Sequence, residues 1–168
     1  GEISGKPSFG SIKLSTSYSF DAFVAKLNPQ GKFLWAVATK GSGVSQIADL
    51  SIDNQDSIYL IGQYIADFNM GPFRLSSSQF NTFVARLTPG GVCNLLVSTQ
   101  GDGLIVPYRI LVTPQNNIYV TGEMEGKKNF GSLSFSTSNH GDFFVARMSN
   151  KGSFVWVKNN TGGTSHIH

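Results

Sequence analysis

Apolar and polar positions alternate along short stretches of this chain, and the stretches come back at a fixed spacing. Asp21-Ala22-Phe23-Val24-Ala25-Lys26-Leu27 sets Phe23, Ala25 and Leu27 on one face of an extended segment. Asn28-Pro29-Gln30-Gly31 then reads as a turn, and residues 33–39 form an apolar strand centred on Trp35. Beyond a Gly-rich loop, residues 47–53 predict a further strand, turned at 54–56 into residues 57–62. A shorter extended piece, residues 9–14, precedes the first alternating segment and is matched by 70–75 and 130–135. No helical period of useful length appears.

The repeat is written most plainly in five residues. Phe23-Val24-Ala25-Lys26-Leu27, Phe83-Val84-Ala85-Arg86-Leu87 and Phe144-Val145-Ala146-Arg147-Met148 are nearly the same segment three times. Gly1, Gly62 and Gly122 keep the same spacing of 60 or 61, and Trp35 matches Trp156 with Leu95 between them. A fixed period of this length means stacked supersecondary units. Named in order, strand A is the Asp49 type, B the Tyr59 type, C the Phe23 type and D the Trp35 type.

Four strands joined by short loops make the meander of one propeller blade. The expected fold is therefore all-β: β-propeller blades built as four-stranded antiparallel sheets of about 60 residues each, in a partial or oligomer-completed propeller. Strands C and D occur three times, but A and B occur in full only twice. The expected division is a partial blade over 1–46, a full blade over 47–106, and a full blade with a tail over 107–168. A β-trefoil is the alternative, but it closes with three complete sets of strands, and two strands are missing. The open edges that this phase leaves are competent to pair, so other copies of the chain, or the rest of a longer chain, are expected to complete the ring.

Composition fits strands that are covered on both faces. Only 14% of residues are charged, where globular chains average about 25%, and 19 Gly accompany 13 Phe. The net charge of +3 is scattered, with Lys127 and Lys128 the adjacent basic pair, so no nucleic-acid footprint is present. The apolar run 33–38 is far shorter than the roughly 20 residues of a membrane-spanning helix, so no membrane insertion is expected. Gly1 opens the chain without an initiator Met or a signal-peptide pattern, as expected of a mature product or an excised piece. Cys93 stands where the first repeat has Phe33, and is read as a buried structural thiol.

The repeat resembles the bacterial β-propeller repeat called SBBP. The resemblance is carried by Tyr119-Val120-Thr121-Gly122, Phe130-Gly131, the run 142–148, Gly152, Trp156 and Gly162-Gly163. The first repeat matches nearly as well, and the middle one departs with Asn81, Leu95 and Met70. The resemblance covers essentially the whole chain. It implies a large bacterial secreted or cell-surface protein, and hence an extracellular scaffold or adhesion module.

Recurring polar residues read as scaffold. Asp21, Asn81 and Asp142 precede strand C, where an Asx side chain bonds nearby backbone N–H groups. Lys26, Arg86 and Arg147 read as long stems with their charge at solvent, with a basic ring around a central channel as the sharper alternative. Where the repeats differ, Tyr108 replaces Ala48, Arg109 replaces Asp49 and His140 replaces Ser19, and each reads as surface variation. His166 and His168 have the spacing of two ligands on one strand face but no third ligand near them. Asp53-Asn54-Gln55-Asp56 lacks the Asp-x-Asp-x-Asp-Gly calcium pattern and reads as a turn. Asn159-Asn160-Thr161 fits the glycan acceptor pattern. No catalytic, metal or cofactor-binding residue is assigned, and no cofactor is expected.

The expected function is a non-catalytic structural or binding module of a secreted, cell-surface or particle-surface protein, offering loops to a protein or glycan ligand. The alternatives are the propeller portion of a larger enzyme, and a subunit that polymerises edge to edge into a fibre.

Overall fold

The computed structural model describes residues 1–16, 20–137 and 141–160, and every regular element within them is a β-strand. The first repeat supplies β1 (Glu2–Ile3), β2 (Ser8–Phe9), β3 (Ile12–Lys13), β4 (Asp21–Leu27) and β5 (Phe33–Ala38). The second supplies β6 (Ser45–Ile52), β7 (Ile58–Met70), β8 (Phe73–Leu87) and β9 (Cys93–Gln100). The third supplies β10 (Leu104–Val112), β11 (Ile118–Glu125), β12 (Lys127–Phe130), β13 (Leu133–Ser136), β14 (Asp142–Met148) and β15 (Phe154–Asn159).

Each repeat forms an antiparallel meander in chain order: β1-β4-β5, then β6-β7-β8-β9, then β10-β11-β14-β15. This is the strand order of propeller blades, so the fold is all-β and propeller-like, with blade-type meanders in place of the trefoil's closed barrel. The A–B turns put Asp56 and Asn116 in the left-handed region, at φ 59 each. The C–D turns close on Asn28, Thr88 and Ser149, whose side-chain oxygens each accept a backbone N–H four residues on.

Two recurrent residue sets explain each other. Phe83 lies opposite Gly62 and Phe144 opposite Gly122 across the sheet. A Cβ added at Gly1, Gly62 or Gly122 would come within 2.7, 2.7 or 2.8 Å of the Phe23, Phe83 or Phe144 ring. The aromatic covers bare backbone, so each glycine is the space its ring needs.

The pieces at 9–14, 70–75 and 130–135 are not single extended segments. Each is the turned end of a hairpin arm, closed by the pairs Phe9 with Ile12, Met70 with Phe73 and Phe130 with Leu133. Gly10, Gly71 and Gly131, at φ 63, 58 and 61, supply the first position of a two-residue hairpin turn. In the second repeat, strands B and C run straight into the arm, which is why β7 and β8 are longer than expected.

Charge is scarce because the middle sheet is covered on both sides. From β7 and β8, Leu60, Phe83, Ala85 and Leu87 pack toward the first sheet, while Tyr59, Ile61 and Val84 join Ile110, Val120, Phe144 and Met148 of the third. In β14, by contrast, buried and half-buried residues alternate, as on a sheet covered mainly on one face.

Candidate functional site

The chemistry gathers at the two junctions between sheets. At the junction of the second and third sheets the arm strand β12 pairs with β9, Asn129 with Gln100 and Phe130 with Thr99. Lys128 of that arm is wholly buried. Its Nζ donates to Gly101 O at 2.8 Å, Asn81 Oδ1 at 2.9 Å and Phe80 O at 3.1 Å. Three acceptors satisfy the three donors of an ammonium group, which is what a buried lysine requires. Desolvation pulls its pKa down, and the charge of Asp102 partly opposes this. At the opposite edge, Asp49 Oδ2 and Ser51 Oγ of β6 accept the backbone N–H groups of Ile110 and Val112 at 3.0 Å each, capping donors of the edge strand β10.

The junction of the first and second sheets uses other groups. The arm touches the end of β5 by one bridge, with Lys40 N donating to Asn69 O and Asn69 N to Lys40 O. Phe68 holds the place of Lys128 and stacks on Phe83 with ring centroids 4.6 Å apart. Trp35 Nε1 donates to Pro89 O at 2.9 Å, and its ring lies against Gly91, where a Cβ would sit 2.8 Å away.

Open recesses lie at these junctions. A polar recess of about 230 Å³ is lined by Asp53, Gln55, Ser57, Arg86, Asn94 and Asn150, among others. A more apolar cleft of about 490 Å³ lies between β5 and the tip of the second arm.

Asp21, Asn81 and Asp142 are buried residues of the strands themselves. Asn81 bonds to side chains, Lys128, Thr99 Oγ1 and Ser77 Oγ, where a local backbone turn was expected. Asp142 keeps one buried oxygen, Oδ1, without a partner among the described residues. Arg86 and Arg147 are half-buried on strand C, two strands from the edge where β6 and β10 meet, and they do not line that edge. Arg86 reaches Asn94 Oδ1 and Asn150 O, and Arg147 reaches Asn117 Oδ1.

Tyr108 is the bulge residue of β10. Its phenol is pushed up to about 12 by desolvation, helped by the hydrogen bond to and charge of Glu123. Arg109 is exposed and donates to Tyr108 O. Asp53 Oδ1 accepts from Gln55 N and Ser57 N, as a turn residue does. Burial pushes its carboxyl up, but those backbone bonds together with side-chain bonds from Ser57 and Tyr59 outweigh burial and hold it below the ordinary value. Cys93 is buried, and desolvation raises its thiol. Asn159 lies in β15, while Thr161, His140, His166 and His168 fall outside the described residues. Among the described residues no three His, Cys, Asp or Glu side chains are grouped to hold a metal, and no helix is long and apolar enough to cross a membrane.

No protein-family model matches the chain. A curated relative is an uncharacterized WD repeat-containing protein, L264, of Acanthamoeba polyphaga mimivirus, 21% identical over 158 residues. The match takes in 82% of this chain and 11% of the relative, so the chain spans only a small part of that protein's length. WD repeats build four-stranded propeller blades with a period of roughly 40–45 residues. The period here is longer, and the hairpin arm between strands B and C supplies most of the excess.

Proposed function

We propose that this chain is a non-catalytic binding scaffold, a run of propeller blades of the SBBP kind that presents its junctions and end loops to a protein or glycan at a cell or particle surface. The observation that carries this reading is the double tie between the second and third sheets. Capped strand edges on one side and a hairpin arm on the other hold the A–B and C–D turns in fixed relation, and a rigid frame with polar turns is what a recognition surface needs. The similarity to a WD repeat-containing protein supports the propeller and the binding role. The SBBP assignment and the extracellular or surface setting rest on the repeat motif alone. Ring completion by further blades, in other copies or in a longer chain, is supported by the arms of the second and third repeats, each of which lies on the neighbouring sheet.

The test is saturable binding of the full chain to members of a peptide array and a glycan array, run beside a hydrolase substrate panel. Binding without turnover is expected. Turnover of any substrate, or no binding on either array, overturns the reading. Sedimentation of the chain as a species larger than 18.1 kDa would support completion by copies. A monomer with a cooperative melt would remove that part.

A further inference from the structure

The acceptor that holds Lys128 on the second sheet has a counterpart on the third. Asn81 takes the Lys128 ammonium on Oδ1 and lies across from Tyr64, two residues before Phe83. Asp142 lies across from Met124, two residues before Phe144, at the same register. The surroundings repeat as well. The amide after each residue, Thr82 N or Phe143 N, donates to a side chain near the end of strand D, Thr99 Oγ1 at 3.0 Å or Asn160 Oδ1 at 2.7 Å. Gly141 stands in the place of Phe80, whose carbonyl is another of the Lys128 acceptors.

Two differences set the third sheet apart. Asn81 is bonded to Lys128, Thr99 and Ser77, whereas Asp142 is only 3% exposed and its Oδ1 has no partner among the described residues. A buried carboxylate oxygen without a donor is costly, and an ammonium group offsets that cost. The charge has changed too. Asn81 and Gln63 of the second sheet are replaced by Asp142 and Glu123 in the third, with Gln63 across from Thr82 and Glu123 across from Phe143. Two neutral amides have become two acids at the end of the sheet where a neighbouring arm docks, and a carboxylate holds a cation more strongly than an amide does. Asp21, the counterpart in the first sheet, is already engaged, and the arm at that junction brings Phe68 in place of a cation.

We propose that Asp142 receives the ammonium group of a lysine on the arm of a further blade, as Asn81 receives Lys128. The inference rests on the propeller reading and names the chemistry of the blade that packs beyond the third sheet. It also separates the two ways of completing the ring. A second copy of this chain would bring its first arm, in which Leu14 N donates to Pro7 O where the third arm pairs Phe135 with Lys128, so Pro7 holds the place of the lysine. Proline has no side-chain donor. The partner is therefore a blade of different sequence, with a lysine two residues before the tip of its arm.

The full chain becomes its own probe when the lysine is supplied. Pro7→Lys sets an ammonium group on the first arm of every copy and should tighten self-association by about tenfold over the parent in sedimentation equilibrium, the effect of one hydrogen bond to a charged group. Adding Asp142→Ala should remove the gain. Adding Asp142→Asn should keep most of it, because an amide oxygen serves at Asn81. In the parent, Asp142→Ala should leave association unchanged. Native-like amide spectra certify the variants. If Asp142→Ala fails to fold, the ¹³C resonance of the Asp142 carboxylate decides instead: it should move as Pro7→Lys assembles and stay fixed in the parent at the same concentration, and an unmoved resonance sinks the proposal. So does the absence of any gain from Pro7→Lys, or a gain that survives Asp142→Ala. A parent whose association depends on Asp142 overturns it as well, by making a second copy the partner. If array ligands bind while Pro7→Lys brings no gain, the lysine assignment falls and the scaffold reading stands. If neither occurs, both fall.

Discussion

The two junctions join the same backbone elements with opposite chemistry. Between the second and third sheets the arm is held by an ammonium group on three oxygens and by a two-residue ladder. Between the first and second it is held by a ring stack, a single bridge and an indole bonded to a turn carbonyl. What the repeat preserves is the geometry of the arm on its neighbour. The residue at the contact is free to be Phe68 or Lys128 as long as its own environment satisfies it. An apolar contact tolerates an open cleft beside it, whereas a buried cation tolerates no missing acceptor.

Breaking each junction at its centre should cost most. Phe68→Ala removes a buried ring from the core shared by the first two sheets, with an expected loss of about 4 kcal/mol in urea denaturation. Lys128→Ala leaves buried Asn81 Oδ1 and the part-buried carbonyls of Phe80 and Gly101 without their donor and should cost about 3 kcal/mol. An unchanged midpoint for Lys128→Ala would show that the arm is held by its ladder alone. Smaller effects sharpen the contrast. Ala66 sits at φ 60 where the other arms have Gly5 and Gly126 at φ 73 and 77, so Ala66→Gly should raise stability by about 1 kcal/mol. Trp35→Phe keeps the ring against Gly91 and loses the bond to Pro89, for about 1 kcal/mol.

The junctions should also differ in alkali. Burial lowers the Lys128 pKa below its ordinary 10.5, so between the two values the unfolded chain holds more protons than the folded one. Stability contributed through this group therefore rises with pH across that window. The raised thiol of Cys93 acts in the opposite sense, because above its ordinary 9.0 the unfolded chain loses its proton first. Comparing the parent with Lys128→Met from pH 8 to 11 cancels the cysteine. The difference should shift steadily in the parent's favour as pH rises.

Much of the frame was legible because its demands are local. Phe23, Phe83 and Phe144 recur with Gly1, Gly62 and Gly122 because ring and bare backbone need each other in every sheet. The arms were half legible. Their Phe-Gly and Met-Gly turns stood in the sequence, but one extended piece and one hairpin share the same short apolar pattern until partners are known. Lys128 was hidden, because its acceptors lie 27, 47 and 48 residues away. Of the cleft, only the departures Met70 and Cys93 could be read. That both fall on one wall, beside β5 of the preceding sheet, is a fact of packing.

Stacking itself is tested most directly by hydrogen exchange at Ile110 and Val112. Both amides lie on the edge strand β10 and are capped by side chains of β6. Slow exchange at both, lost at Ile110 in Asp49→Ala while the β10–β11 ladder stays protected, is the predicted result. Exchange at both amides as fast as on an open strand edge, in the parent chain, would contradict the account.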